Sequence, residues 1–333
     1  MKILIIQTAF VGDVILITPL IRAIKQLFPE SLVDVLVIPQ TVEILQNNPY
    51  LKDIILFDKR RNKLPNFVKT AKKLKKNKYD IAFLPHSSFT TGLLTYVAGI
   101  KKRIGFDRWL SSLLLTEKIP FVHGKHRIKK NLDLLSIYSD RRFSNETELF
   151  PQEGDYEKAK ELLSTLNNKR KMIAIAPGSI WFTKRWPEQY YKALAQQLVD
   201  AGFSVVMIGS ADEKELCENI LTSLHAINLA GKTNILESAA VIKHCELMIC
   251  NDSGAMHIAN AVGTDVFAFF GPTVESIGYF PTREQDHVFQ IDISCRPCGS
   301  HGGQRCPKGH HKCMEDIKPE FVYQKVISHL KEE

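Results

Sequence analysis

The chain has 333 residues, 44% of them hydrophobic and 24% charged, with seven cysteines and a formal charge of +8. This length predicts two domains. The composition excludes a disordered or collagen-like chain, and no apolar run approaches the ~18 residues of a membrane-spanning helix. The charge is uneven. Residues 1–150 carry 25 Lys and Arg against 13 Asp and Glu, a balance of +12, whereas residues 151–333 carry 19 against 23, a balance of −4. The first half is expected either to meet an anionic partner or to present solvated basic helix faces. The N-terminus shows no basic region followed by an apolar stretch and a small-residue cleavage site, so export is not expected.

Taken in chain order, Lys2-Ile-Leu-Ile-Ile6 is a continuous apolar run, the mark of a strand buried on both faces. A loop over 7–13 follows, then apolar residues at helical spacing over 14–27, ending before Phe28-Pro29. Strands are predicted at 33–38, 54–57 and 81–84, with a helix at 41–46 and a basic helix at 65–76. The pattern restarts near Tyr156. Helices are predicted at 156–166, 187–201, 212–224, 235–244 and 253–262, with Gly202 as a C-cap. Strands are predicted at 172–176, 205–208, 247–250 and 266–270, closed by Pro177-Gly178, Gly209 and Gly271-Pro272. This alternation reads as an α/β chain of two doubly wound parallel sheets, with domains over 1–154 and 155–333. Ligands of such sheets bind beyond the carboxyl ends of the strands, so the cleft between two such domains is the expected site.

The first loop holds only Gly12, not the three glycines of a dinucleotide fingerprint. It offers Asp13 at a helix start, which serves either as a first-turn carboxylate or as a general base kept ionised by the helix terminus. The second half is denser. Ser179 follows a strand, and Lys184-Arg-Trp-Pro187 precedes a helix. Two cations there suit a diphosphate; the alternative is a surface basic pair beside a packed Trp186. Glu213 lies just past Gly209-Ser210 and could accept both hydroxyls of a ribose or act as a dipole partner. Asn251-Asp-Ser-Gly254 ends a strand and opens a helix, so backbone N–H groups of Ser253 and Gly254 could hold phosphate oxygens, with His257 one turn in. Cys217, Cys245 and Cys250 sit in apolar segments as core residues. Cys295, Cys298, Cys306 and Cys313 are spaced C-x2-C-x7-C-x6-C. Structural zinc is possible there, but the second pair is not a C-x2-C, and reduced thiols are favoured.

These motifs, in this order, resemble the bacterial lipopolysaccharide heptosyltransferases of glycosyltransferase family 9, with type II members the nearest likeness. The likeness runs over nearly the whole chain. It rests on Lys2-Ile-Leu-Ile-Ile6 with Val11-Gly-Asp13, on Leu84-Pro-His-Ser-Ser-Phe89, on Ala98-Gly-Ile-Lys-Lys-Arg-Ile-Gly105 and on Lys184-Arg-Trp-Pro187. It continues through Gly209-Ser-Ala211, Asn228-Leu-Ala-Gly231, Asn251-Asp-Ser-Gly-Ala-Met-His257 and Phe270-Gly-Pro-Thr273.

The resemblance implies a GT-B fold, two Rossmann-like domains facing across a cleft, with the acceptor on the first and ADP-heptose on the second. It implies an inverting, metal-independent transfer of heptose to a phosphorylated Kdo–lipid A core, with no cofactor beyond the nucleotide sugar. By the same resemblance Asp13 is the base, and Lys184 and Ser179 lie beside the diphosphate. Glu213 meets the ribose, Thr233 falls near the adenine, and Asp252, Ser253, Gly254 and His257 complete the donor site. It places the protein at the cytoplasmic face of the inner membrane of a Gram-negative bacterium. Lys59, Arg60, Arg61, the lysines of 72–78, Lys101, Lys102 and Arg103 are candidates for the acceptor or an anionic lipid surface. The final helix, about 320–331, is expected to pack back on the first domain. The rivals are a family member of type I or III acceptor choice, a GT-B nucleotide-sugar epimerase, and a non-catalytic polyanion binder. Nucleic acid is not expected as a partner.

Overall fold

The computed structural model describes residues 1–108, 110–166 and 170–332. The chain divides into two compact units, Met1–Phe150 and Pro151–Glu333, so the division falls four residues before the one read from the sequence.

The first unit is built on six parallel strands: β1 (Lys2–Ile6), β2 (Leu32–Val37), β3 (Asp53–Leu56), β4 (Ile81–Leu84), β5 (Lys102–Phe106) and β6 (Glu117–Ile119). Their order is β3-β2-β1-β4-β5-β6. Ile3 to Ile6 of β1 are fully buried, because β1 pairs on both edges and helices cover both faces. Leu4 and Ile6 alternate to one face, where they pack with Leu36 and Ile55, with Ala71 and Leu74 of the helix Lys63–Asn77, and with Leu94 of the helix Phe89–Val97.

The predicted helix over 14–27 is instead two, Val11–Ile15 and Thr18–Leu27. Pro19 starts the second, and Thr18 Oγ1 donates to the Ile15 carbonyl at 2.8 Å, closing the first. The segment predicted helical at 41–46 is the 3₁₀ turn Pro39–Leu45, again started by proline. Strands β5 and β6 and the helices Phe89–Val97 and Arg127–Asp133 were not legible in the sequence.

The second unit repeats the plan with β7 (Met172–Ala176), β8 (Ser204–Met207), β9 (Ile227–Asn228), β10 (Leu247–Asn251), β11 (Asp265–Phe269) and β12 (His287–Phe289). Its order is β12-β11-β10-β7-β8-β9. Read from β9, this is the arrangement of the first sheet, the doubly wound 3-2-1-4-5-6 order. Trp186 is buried in this core, stacked on Phe269 at 4.3 Å and 10°, with its Nε1–H donating to the Ile317 carbonyl at 2.9 Å. The last helix, Pro319–Glu332, commits Val322, Val326 and Leu330 to this same core. These three residues form the apolar stripe of the helix, which is spent within its own unit.

Candidate functional site

In a doubly wound sheet the strand order reverses between the first and fourth strands, and the crevice at that reversal is where ligands bind. In the second unit the reversal lies between β7 and β10, and side chains bridge it. Asn251, the last residue of β10, donates from Nδ2 to the Pro177 and Gly178 carbonyls at 2.8 and 3.2 Å. Its Oδ1 accepts from the Trp186 N–H at 2.9 Å and the Tyr191 hydroxyl at 3.0 Å. This buried amide, which sequence reading did not single out, pins the segment after β7 against the end of β10.

The pinning sets up an ion pair. Lys184 Nζ lies 2.5 Å from Asp252 Oδ2, and the same oxygen accepts from Thr273 Oγ1 at 2.7 Å. Both charged side chains are largely buried. Thr273, which the sequence showed only as the end of the Phe270-Gly-Pro-Thr273 motif, anchors the aspartate through its hydroxyl. Arg185, read as the second diphosphate cation, donates from Nε to the Ser179 carbonyl at 2.8 Å, which fixes the guanidinium beside the end of the Ser179 turn.

Glu213 fills its capping role and also reaches the site. Its Oε2 accepts from the Ser210 backbone N–H at 2.8 Å and from the Ser210 hydroxyl at 3.1 Å. Its carboxylate also lies over Gly178: a Cβ there would fall 1.7 Å from Glu213 Oε1. The Glu213 carboxylate can occupy this place only because residue 178 has no side chain. The helix Gly254–Val262 begins directly after β10, with Ser253 extended before it and His257 buried one turn in, near Tyr279. Thr233 bonds through its hydroxyl to Ser238 at 2.7 Å, ahead of the helix Ile235–Lys243.

The late cysteine loop belongs to this neighbourhood. Thr183 Oγ1 accepts from the Gly303 N–H at 2.8 Å, and the Thr183 N–H donates to the Gly303 carbonyl at 3.0 Å. Gly302, at φ +79°, lies against Thr183, Pro272 and the stem of Lys184. The loop therefore clamps the segment that carries the lysine. Its four cysteines are free thiols. Burial pushes Cys313 up to about 11. Burial would also raise Cys306, but the backbone N–H groups of His311, Lys308, His310 and Gly309 outweigh it and hold that thiol below its usual value. No group of three or more His, Cys, Asp or Glu side chains suited to a metal ion occurs among the described residues.

In the first unit the reversal lies between β1 and β4. Asp13 sits in the first turn of Val11–Ile15, nearly buried, with Oδ1 4.0 Å from Arg127 Nε. Arg127 also donates from Nη2 to the Pro85 carbonyl at 2.9 Å, at the end of β4. It ties the two strand ends together as Asn251 does in the second unit. Sequence reading missed it because nothing local marks it. His86 follows Pro85; burial, then the charge of Arg127, holds its pKa below the usual histidine value. Lys59 belongs here too, donating to Thr8 Oγ1 at 3.2 Å, and burial lowers its pKa.

The other basic candidates divide. Arg60, Arg61 and Lys101 are exposed. Lys102 lies over the Tyr138 ring at 4.4 Å. Arg103 is spent internally, donating to the Leu114 and Ile100 carbonyls at 2.6 Å each.

Two doubly wound units in tandem, each with polar groups gathered at its strand reversal, are the architecture of GT-B glycosyltransferases. Residues 67–306 match glycosyltransferase family 9 (heptosyltransferase). The chain is 27% identical to lipopolysaccharide heptosyltransferase 2 of Salmonella typhimurium over 364 residues, covering 100% of this chain and 99% of the relative. The structure is similar to that of E. coli ADP-heptose LPS heptosyltransferase II, with a TM-score of 0.83 at 26% identity, covering 100% and 99% of the two chains. It shares its fold with E. coli heptosyltransferase WaaC, solved with ADP-2-deoxy-2-fluoro heptose, at a TM-score of 0.74, 18% identity and coverage of 98% and 99%. The chain belongs to glycosyltransferase family 9, and it is a glycosyltransferase.

Proposed function

We propose that this enzyme transfers heptose from ADP-heptose to the heptosyl-Kdo-lipid A inner core of lipopolysaccharide, with inversion and with Asp13 as general base. The observation that carries the donor half is the buried Lys184–Asp252–Thr273 arrangement at the strand reversal of the second unit, beside the start of the helix Gly254–Val262. A fixed cation next to a helix N-terminus suits a leaving diphosphate. The names of the full-length relatives and the nucleotide sugar held by WaaC support the same substrate.

Asp13 takes the proton of an acceptor hydroxyl as that oxygen forms its bond to the anomeric carbon. The anomeric carbon–phosphate oxygen bond breaks on the opposite face, and ADP leaves with the bonding pair. Lys184 offsets the negative charge gained by the diphosphate. Ser179, Ser253, Gly254 and His257 surround the phosphates, while Glu213 takes the ribose and Thr233 the adenine side. In this reading no metal or further cofactor takes part.

The enzyme works at the cytoplasmic face of the inner membrane in this reading. Support comes from the helix Lys63–Asn77, which exposes Leu64 and Val68 among its lysines, a pattern suited to an anionic lipid surface. No helix among the described residues is long and apolar enough to cross a membrane. The test is a transfer assay with ADP-heptose on Kdo2–lipid A and on its singly heptosylated form. Turnover on the heptosylated acceptor alone is expected; turnover on neither overturns the reading. Asp13→Asn should retain ADP-heptose binding and lose transfer, and near-normal turnover would remove Asp13 as base.

A further inference from the structure

The transfer chemistry uses none of the thiols of the late cysteine loop. Between Asp292 and Glu315 the chain has no acidic residue, yet it carries Arg296, Arg305, Lys308 and Lys312. Cys295, Cys298 and Cys306 are half-buried there, and Cys313 is buried. Partly exposed thiols in an electropositive setting are the reactive ones, because nearby positive charge favours the thiolate.

The thiols are gathered around shared neighbours. Cys298 Sγ lies 3.3 Å from the Cys295 carbonyl, and Cys295 Sγ lies 3.9 Å from His310 Nε2. His310 belongs to the turn that follows Cys306, where the Gly309 N–H donates to the Cys306 carbonyl at 3.0 Å. Burial, then the charges of Cys295 and Cys306, raise the Cys298 thiol, so those two sulfurs lie within reach of its field. Cys306 is the opposite case, since the turn's backbone N–H groups hold it below its usual value. A thiol of the second kind attacks an oxidant first; one of the first kind attacks the neighbour once that neighbour has been oxidised.

The segment between these two cysteines is the clamp on the donor site. It contains Gly302 and Gly303, and Gly303 pairs with Thr183, the residue before Lys184. At its near end the Cys298 N–H donates to the Pro272 carbonyl at 2.9 Å, and Arg296 donates from Nη2 to the Thr273 carbonyl at 2.7 Å. Thr273 in turn holds Asp252. Both segments that carry the buried ion pair are thus tied to this short stretch of loop.

We propose that Cys306 and Cys298 form an oxidisable dithiol, a modification site for a hydroperoxide, whose disulfide loosens the clamp on Lys184 and weakens donor binding. The Cys306 thiolate attacks one oxygen of hydrogen peroxide, the O–O bond breaks, and hydroxide leaves to be protonated as water. The Cys298 sulfur, giving up its proton, then attacks the Cys306 sulfenic sulfur; the S–O bond breaks and a second water leaves. Two thiols are oxidised by two electrons, and the peroxide is reduced to two waters. Closing the bond makes a ring through Gly302 and Gly303 and draws Gly303 from Thr183. The thiol chemistry stands apart from the transfer reaction; its effect on the donor rests on the role proposed above for Lys184.

The test uses the full-length enzyme, reduced, desalted and treated with one equivalent of hydrogen peroxide. Peptide mapping by mass spectrometry should find a disulfide joining Cys298 to Cys306. Calorimetric titration with ADP-heptose should show Kd raised about ten-fold, the effect of losing one or two hydrogen bonds, and restored by dithiothreitol. Cys306→Ser should bind ADP-heptose equally well before and after peroxide. Cys298→Ser should stop at the sulfenic acid of Cys306, trapped by dimedone. The comparison of oxidised with reduced wild type needs no variant, so it decides the matter even where a variant fails to fold.

Peroxide that leaves both thiols free overturns the proposal, as does a disulfide joining another pair. A correct disulfide with unchanged ADP-heptose affinity overturns the link to the donor site. Release of a bound metal on oxidation overturns the proposal in favour of a metal centre. A reduced enzyme that binds no ADP-heptose refutes the donor reading instead, and the peptide map still decides the thiol pair.

Discussion

Lys184→Met separates the stability of the donor site from its chemistry. Lys184 and Asp252 have side chains 12% and 7% exposed, with Nζ and Oδ2 2.5 Å apart. Removing the lysine leaves a buried carboxylate with the Thr273 hydroxyl as its remaining contact of those described above. Breaking a buried pair from one side costs about 3–5 kcal/mol, because the charge left behind is uncompensated. For a unit of this size each kcal/mol lowers Tm by about 2–4 °C, so the second unit should melt about 6–20 °C lower.

The double variant Lys184→Met/Asp252→Asn removes both charges and leaves an amide that can still accept from Thr273. It should recover most of that loss, to within about 1 kcal/mol of wild type. Transfer should not recover. Losing the cation proposed to face the diphosphate should lower the rate by about 10²–10³ in single and double variants alike. Differential scanning calorimetry and a transfer assay on the same three proteins decide the matter. A double variant with restored turnover, or a single variant that melts with wild type, refutes the reasoning.

Gly302→Ala should destabilise the cysteine loop by about 1–3 kcal/mol and raise donor KM. The residue sits at φ +79°, and its new Cβ would lie 2.9 Å from Thr183 Oγ1 and 3.4 Å from the Lys184 stem. Unchanged melting and donor KM would show that the loop does not hold Lys184. Because burial depresses the His86 pKa, the unfolded chain takes up that proton more readily, and the stability of the first unit should fall as pH drops below about 6.5. Urea denaturation between pH 5 and 7 should show a shallower fall for His86→Gln; an identical slope would contradict the burial argument. Treatment with EDTA should leave transfer intact, and a loss reversed only by zinc would identify the cysteine loop as a metal site.

Much of the fold is readable from local pattern. Strands β1, β7 and β10 announce themselves as continuous apolar runs closed by proline, glycine or a polar turn, and a strand buried on both faces can hardly look otherwise. Strand β5 was invisible because Lys102 and Arg103 open it and only Ile104, Gly105 and Phe106 are buried. Strands β6 and β9, of three and two residues, are too short to show a period. Asp13, Lys184, Glu213 and Asp252 were visible as charged residues just past strand ends, a place where a doubly wound sheet puts its ligands.

What each of those charges meets was decided elsewhere. Asp252 is 68 residues from Lys184, and they meet because β10 lies beside β7; Arg127 is 114 from Asp13, and they meet because the helix Arg127–Asp133 packs against Thr18–Leu27, the helix after Asp13. The same long-range geometry spends Arg103 and Arg185 on backbone carbonyls, sets Lys130 against Arg108 over one phenyl ring, and folds the last helix into its own unit. The amino-acid order by itself determined where the long buried strands and the turns that close them lie, because burial of such a strand is written in its own periodicity. The partners of each buried charge were decided only by the tertiary structure, because strand order brings together segments that local periodicity cannot relate.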